Sequence, residues 1–143
     1  AHRAAQAQAQ AVEDRRHTLP LRLQAYERLT LFCERINPGP LVLRVHKSHM
    51  DSSGLHAQLV ATVREEFEHN VTQQIYVSDR AWKGVGKAKD ETIRLINISH
   101  EQAGDAPSAT ALSQRIFENV GRLSHTPSQE ALLVLREEVR KLF

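Results

Sequence analysis

Residues 108–143, SATALSQRIFENVGRLSHTPSQEALLVLREEVRKLF, decide the fold class. Ser108 stands at an N-cap position, and Leu112, Ile116, Phe117, Val120 and Leu123 follow at helical spacing. Thr126-Pro127-Ser128-Gln129 then opens a second helix with a capping box. Its proline falls in the first turn, where a missing N–H costs nothing. Leu132, Leu135, Val139 and Leu142 repeat behind it at a/d spacing. Two helices joined by so short a turn are expected to pack antiparallel. The stripe that ends at Leu142 and Phe143 also leaves room for a homodimer through this C-terminal helix.

Working back along the chain, the same period recurs. Gly104-Asp105-Ala106-Pro107 reads as a loop. Before it, Ser78-Asp79 caps a helix reaching about His100, with Trp82, Val85, Thr92, Ile93 and Ile96 as its buried stripe. Lys87–Glu91 and Asp90–Arg94 are spaced for i,i+4 pairing on its wet face. Gly84 and Gly86 each cost about 1 kcal/mol relative to Ala, which suggests a close helix approach or a bend. Asp51 or Ser52 starts an earlier helix whose apolar face is Leu55, Leu59, Val60, Val63 and Phe67. LVLRV at 41–45 reads as an extended connector or a short helical turn packed on the core.

Thr18 can cap a helix with Pro20 in its first turn, and Ala25, Leu29, Phe32, Cys33 and Ile36 share one face of it. Gln24, Glu27, Arg28, Glu34 and Arg35 share the opposite, solvated face. Alternatively, the preceding helix runs on through Pro20. Asn37-Pro38-Gly39-Pro40 ends it. Residues 1–17, beginning AHRAAQAQAQ, favour helix but carry almost no large apolar side chains. They read as an N-terminal helical stalk, or else as a frayed terminus. The expected architecture is therefore all-α: a small bundle of about five helices over 18–143, preceded by the stalk.

With 143 residues, the chain can build one domain with a real core. A net charge of +2 is too slight an excess to argue for specific nucleic-acid binding. Cys33 is the one cysteine, so no intrachain disulfide exists; it reads as a small core residue. No run of eighteen apolar residues is present.

The segment 64–82, REEFEHNVTQQIYVSDRAW, resists sorting into faces. It gathers three glutamates, a histidine, an asparagine and two adjacent glutamines with Phe67, Tyr76 and Trp82. Glu66, Asn70, Gln73 and Gln74 are expected to form a polar seam that hydrogen-bonds across the bundle, since buried polar groups must be paired. The alternative is a partner-binding groove edged by Tyr76 and Trp82. Glu66 and His69 also form half of a di-iron carboxylate motif, without the second copy such a site needs. His46, His49 and His56, near Asp51, could hold zinc, but their spacing matches no recognised set. Exposed or capping histidines are the simpler reading.

Other motifs fail on their own terms. Gly84-Val85-Gly86-Lys87 ends like a phosphate loop but has Ala81 and Ala88 where glycine and Ser/Thr are required. Asn70-Val71-Thr72 and Asn97-Ile98-Ser99 match a glycosylation acceptor by chance. Lys83, Lys87, Lys89 and Arg94 make a basic stripe near Trp82 that could touch nucleic acid or anionic lipid, but Asp90 and Glu91 interrupt it. No complete catalytic set is found, and no cofactor is expected.

LPLRLQAYERLTLFCERINPGPLVLRV, followed by REEFEHNVTQQIYVSDRAW and the closing EEVRKLF, resembles a family of Bacteroidota proteins with no established activity. The resemblance covers most of 19–143. It implies one N-terminal membrane helix followed by a cytoplasmic helical domain, and it carries over no catalytic residues. On that basis residues 1–17 would leave the cytoplasmic side of the bacterial inner membrane, with the anchor itself absent from this chain. Arg3, Arg15 and Arg16 suit such a flank. The leading expectation is a non-enzymatic, membrane-tethered domain that binds another protein as a subunit or accessory of a larger membrane assembly. Phe67, Tyr76 and Trp82 would be its anchors. The alternative is a metal-binding helical protein using Glu66 and His69 or the histidine cluster.

Overall fold

The computed structural model describes residues 1–104 and 108–143. They form six α-helices and one 3-10 helix, with no strand among the described residues. The helices are α1 (His2–Ile36), α2 (Pro38–Val45), α3 (Ser52–Glu68), α4 (Asp79–Ala103), α5 (Ala109–Gly121) and α6 (Pro127–Arg140), and the 3-10 helix is Val71–Tyr76. The expected all-α class holds; the expected count of about five falls short of these seven. Asp105, Ala106 and Pro107 of the expected loop lie outside the described residues.

One reading of proline accounts for part of the miscount, and another for where the first helix begins. Pro38 and Pro40 follow the end of α1 but also sit in the first turn of α2, where no intrahelical donor is needed. Residues 41–45 are therefore helical and bury Leu41, Val42 and Val45. Pro20, in contrast, starts nothing. α1 runs through it, and Thr18 is no cap: its hydroxyl donates back to the Arg15 carbonyl at 3.4 Å.

Apart from Thr18, the expected caps form. Asp51 accepts from Gly54 N, Ser78 from Ala81 N and Ser108 from Thr110 N, and Thr126 and Gln129 complete the capping box. Gly104 closes α4 with φ +63, a left-handed value that glycine adopts without steric cost. Gly84 and Gly86 mark no close approach, because nothing lies within 4 Å of where a Cβ would stand.

α4 lies at the centre, packed by α6, α3, α5 and α1. The expected antiparallel pairing of α5 with α6 does not occur: both pack on α4, and each finds its main contacts away from the other. A short turn brings two chain ends together but does not oblige the helices to share a face. Here α5 buries Leu112 and Ile116 towards α2, α3 and α4, while α6 buries Leu132 and Leu135 towards α1 and α4. Phe117 and Leu123, expected in the α5 core face, are 41% and 44% exposed in consequence.

The core is apolar and closely shared. Leu29, Phe32 and Ile36 meet Leu41, Leu55, Leu59, Ile96, Leu112, Ile116 and Leu135, all essentially free of solvent. Thr92 Oγ1 is buried there without a hydrogen-bond partner among the described residues. Residues 1–18, by contrast, are exposed throughout, so α1 projects beyond the bundle before it enters it.

Candidate functional site

The segment between α3 and α4 is fixed at both ends. At its start, Glu66 on the last turn of α3 accepts from Arg35 Nε at 2.7 and 2.9 Å and faces Arg35 Nη2 at 2.6 Å. Arg44 on α2 adds a second guanidinium at 3.7 Å and itself donates to the Arg35 carbonyl at 3.1 Å. The Glu66 carboxylate, by hydrogen bond and then by charge, holds the Arg35 guanidinium above its ordinary pKa. One carboxylate thus ties α1, α2 and α3 together. With both oxygens occupied by guanidinium groups, it has little left to offer a substrate proton or a metal.

Asn70 is buried and donates to the Glu66 carbonyl at 2.8 Å, which satisfies the end of α3 as the chain turns. Arg28 of α1 donates to the neighbouring His69 carbonyl at 3.2 Å. The polar seam expected across the bundle stops there. Gln73 reaches only Thr72 Oγ1 at 3.5 Å, and Gln74 donates to the Val71 carbonyl at 2.9 Å. Both glutamines serve their own turn, because the 3-10 helix leaves carbonyls close at hand and none of its residues is buried.

The aromatics divide as well. Phe67 and Trp82 stack at 5.2 Å, and Phe32 meets Phe67 edge-on at 5.9 Å. Lys89 Nζ lies 4.5 Å from the Phe67 ring centroid, which brings a cation to the same cluster. Tyr76 stands outside this stack, half-buried on the 3-10 helix. Its neighbours Ile75 and Val71 are 73% and 39% exposed.

A second clamp holds the far end. Glu138 of α6 accepts hydrogen bonds from Ser78, the α4 cap, and from Tyr26 of α1 at 2.9 Å. Arg80 completes the cluster at 3.8 Å from Glu138 and 3.2 Å from Glu137. Burial, and then the bond to Glu138, pushes the Tyr26 hydroxyl above its ordinary pKa. Arg35, Arg44, Tyr26 and Glu138 are not placed at this site by sequence reasoning, and Phe32 and Lys89 read only as a core residue and part of a basic stripe. Arg35 even falls on the face assigned to water. No local pattern points to a partner 31 or 112 residues away.

The metal candidates are not brought together. His46 bonds Ser113 at 3.1 Å, and His56 bonds Asn97 at 2.7 Å and stacks on His100 with ring centroids 4.1 Å apart. His49 and His69 are exposed, and Glu66 is taken up by arginine. Among the described residues no group of three or more His, Cys, Asp and Glu is placed to hold a metal ion. The i,i+4 pairs expected on α4 are replaced by Lys89–Asp90 at 3.2 Å and Glu91–Arg94 at 3.8 Å. Cys33 is fully buried, which pushes its thiol up to about 12 and away from nucleophilic chemistry at neutral pH. Among the described residues no helix is long and apolar enough to cross a membrane.

Set beside known proteins, residues 1–142 match a family model described as a family of unknown function, DUF7935. No curated protein and no solved structure matches the chain.

Proposed function

The chain belongs to this family of unknown function, and from that premise we propose that it is a non-enzymatic helical domain that binds another protein through the 3-10 helix Val71–Tyr76. One observation carries the reading: a segment with no buried residue is nevertheless clamped at both ends. Ordering an exposed turn costs conformational entropy, on the order of 1–2 kcal/mol per residue for the backbone. The segment contributes little to the core in return. What it does is present Ile75, Val71 and Tyr76 on a fixed frame, and pre-organised apolar side chains of this kind suit a partner's pocket. In this account α1, which packs against the 3-10 helix, braces the frame, and Glu66 and Asn70 orient its start.

The address is part of the same proposal. Residues 2–18 form an exposed stretch of helix with no buried residue. That suits a stalk between an anchor and the domain. The resemblance to Bacteroidota proteins with one N-terminal membrane helix supports a place on the cytoplasmic side of the bacterial inner membrane, as a subunit or accessory of a larger assembly.

The test is co-purification of a tagged full-length protein from native membranes in mild detergent, with an Ile75→Asp/Tyr76→Ala variant beside it. Ile75 is 73% exposed and no residue of the 3-10 helix is buried, so the variant should keep its helical circular dichroism. A stoichiometric partner that vanishes in the variant is the expected result. An unchanged set of partners with the folded variant overturns the assignment of this face.

A further inference from the structure

A different face shows what it fits by its charge. α1 and α6 run antiparallel, as contacts at two levels require: Tyr26 with Glu138, and Asn37 with Ser128. Between them on the outside lies a groove of about 630 Å³. Leu31 and Phe143 line it and are 59% and 87% exposed. Its α1 edge carries Glu27 and Glu34, and its α6 edge carries Arg136 and Arg140. None of these four charged groups makes an ion pair among the described residues.

We infer that this groove is the contact face for a second copy of the chain, related by a two-fold axis running along the groove. The axis follows from the charges. Turning one copy about a line parallel to the helices sets its α1 over the partner's α6 at the same height, so each acidic edge meets a basic edge. By the levels of Tyr26 and Asn37, Glu27 then falls within about a turn of both Arg136 and Arg140 of the other copy. A two-fold axis across the groove would instead stack α1 on α1 and α6 on α6, with like charges opposed. Leu31 within the groove and Phe143 at its end lose their water in the favoured arrangement, beside the charged edges. Both stalks leave from the same end of such a dimer. The inference goes beyond the partner face at Val71–Tyr76 and stands on other residues, so either can fail alone.

Sedimentation equilibrium of the purified chain, from micromolar to hundreds of micromolar, reads the first outcome. A reversible dimer is expected; a monomer throughout overturns the inference. The second outcome comes from two charge-reversed chains, Glu27→Arg/Glu34→Arg and Arg136→Glu/Arg140→Glu. Each alone should self-associate about a hundredfold more weakly, because like charges then face each other across the interface. Mixed one to one, they should form a heterodimer, since both edge pairs become complementary again. Thermal unfolding of each variant checks that it is folded. A wild-type dimer that both variants retain, or that the mixture fails to restore, places the interface elsewhere and overturns this assignment.

Discussion

The two halves of α1 have the same secondary structure for different reasons. Residues 19–36 are helical because a stripe of Ala25, Leu29, Phe32, Cys33 and Ile36 is driven into the bundle. Residues 2–18 are helical with no buried stripe: every side chain is exposed, and the run of Ala, Gln and Arg supplies intrinsic propensity instead. Isolated helices of that length are marginal in water, so the first half borrows its nucleus from the second. Helix content and stability therefore separate along one continuous element.

Matched substitutions test that separation most sharply. Leu29→Ala removes a fully buried side chain and should cost about 3 kcal/mol in chemical denaturation. Val12→Ala, on the exposed half, should stay within about 0.5 kcal/mol of the parent. Equal losses from the two would show that the halves are not distinct.

The next effect concerns how the packed half is pinned. Glu66→Ala leaves the Arg35 and Arg44 guanidinium groups facing each other without their carboxylate. We expect a loss of about 2 kcal/mol, short of a fully buried ion pair because Arg35 is partly solvated. Arg44→Ala should cost less, since its 3.7 Å contact is the weaker of the two. Thr92→Val works the other way. It replaces an unpartnered buried hydroxyl with a methyl group of similar shape and should raise stability by about 1 kcal/mol. A loss there would reveal a partner for that hydroxyl.

Alkaline titration gives a further effect, confined to the packed half. The folded state raises the pKa of Cys33 from 9.0 to about 12 and raises that of Tyr26 above 10.0. In the window above the ordinary values, the folded chain holds protons that the unfolded chain has released. Their contribution is complete below the unfolded values and is lost as pH rises through the folded ones. The denaturation midpoint should thus fall with rising pH in this range. A chain lacking residues 1–17 should follow the same curve, because neither group lies there. A flat profile would mean that these two groups are not shielded as described.

Legibility in the sequence followed the range of the interactions. Caps at Asp51, Ser78, Ser108 and Thr126 depend on residues two or three apart, and all four are where local chemistry puts them. Buried stripes on α1 and α3 depend on one helix's own period and are equally plain. The α5–α6 relation was misread because a turn constrains distance but not which third helix intervenes. At the candidate site, Glu66, Phe67, Asn70 and Trp82 stand out as residues that fit no solvent face. What they touch does not, since Arg35, Phe32 and Lys89 arrive on other elements and carry no mark of their role. Gln73 and Gln74 were assigned long reach when their own turn already offered an acceptor.

α1 has a mechanical consequence. At about 1.5 Å per residue its 35 residues make a rod of roughly 50 Å, of which about half is free. Whatever grips the free end grips the same rod that carries Leu29, Phe32 and Ile36 into the core. Tension along that axis is resisted by sliding α1 past its packed neighbours, a shearing mode in which many contacts must give at once. A tether attached through a flexible linker would peel away one contact at a time. In this arrangement a pull on residues 2–18 would be transmitted directly into the bundle.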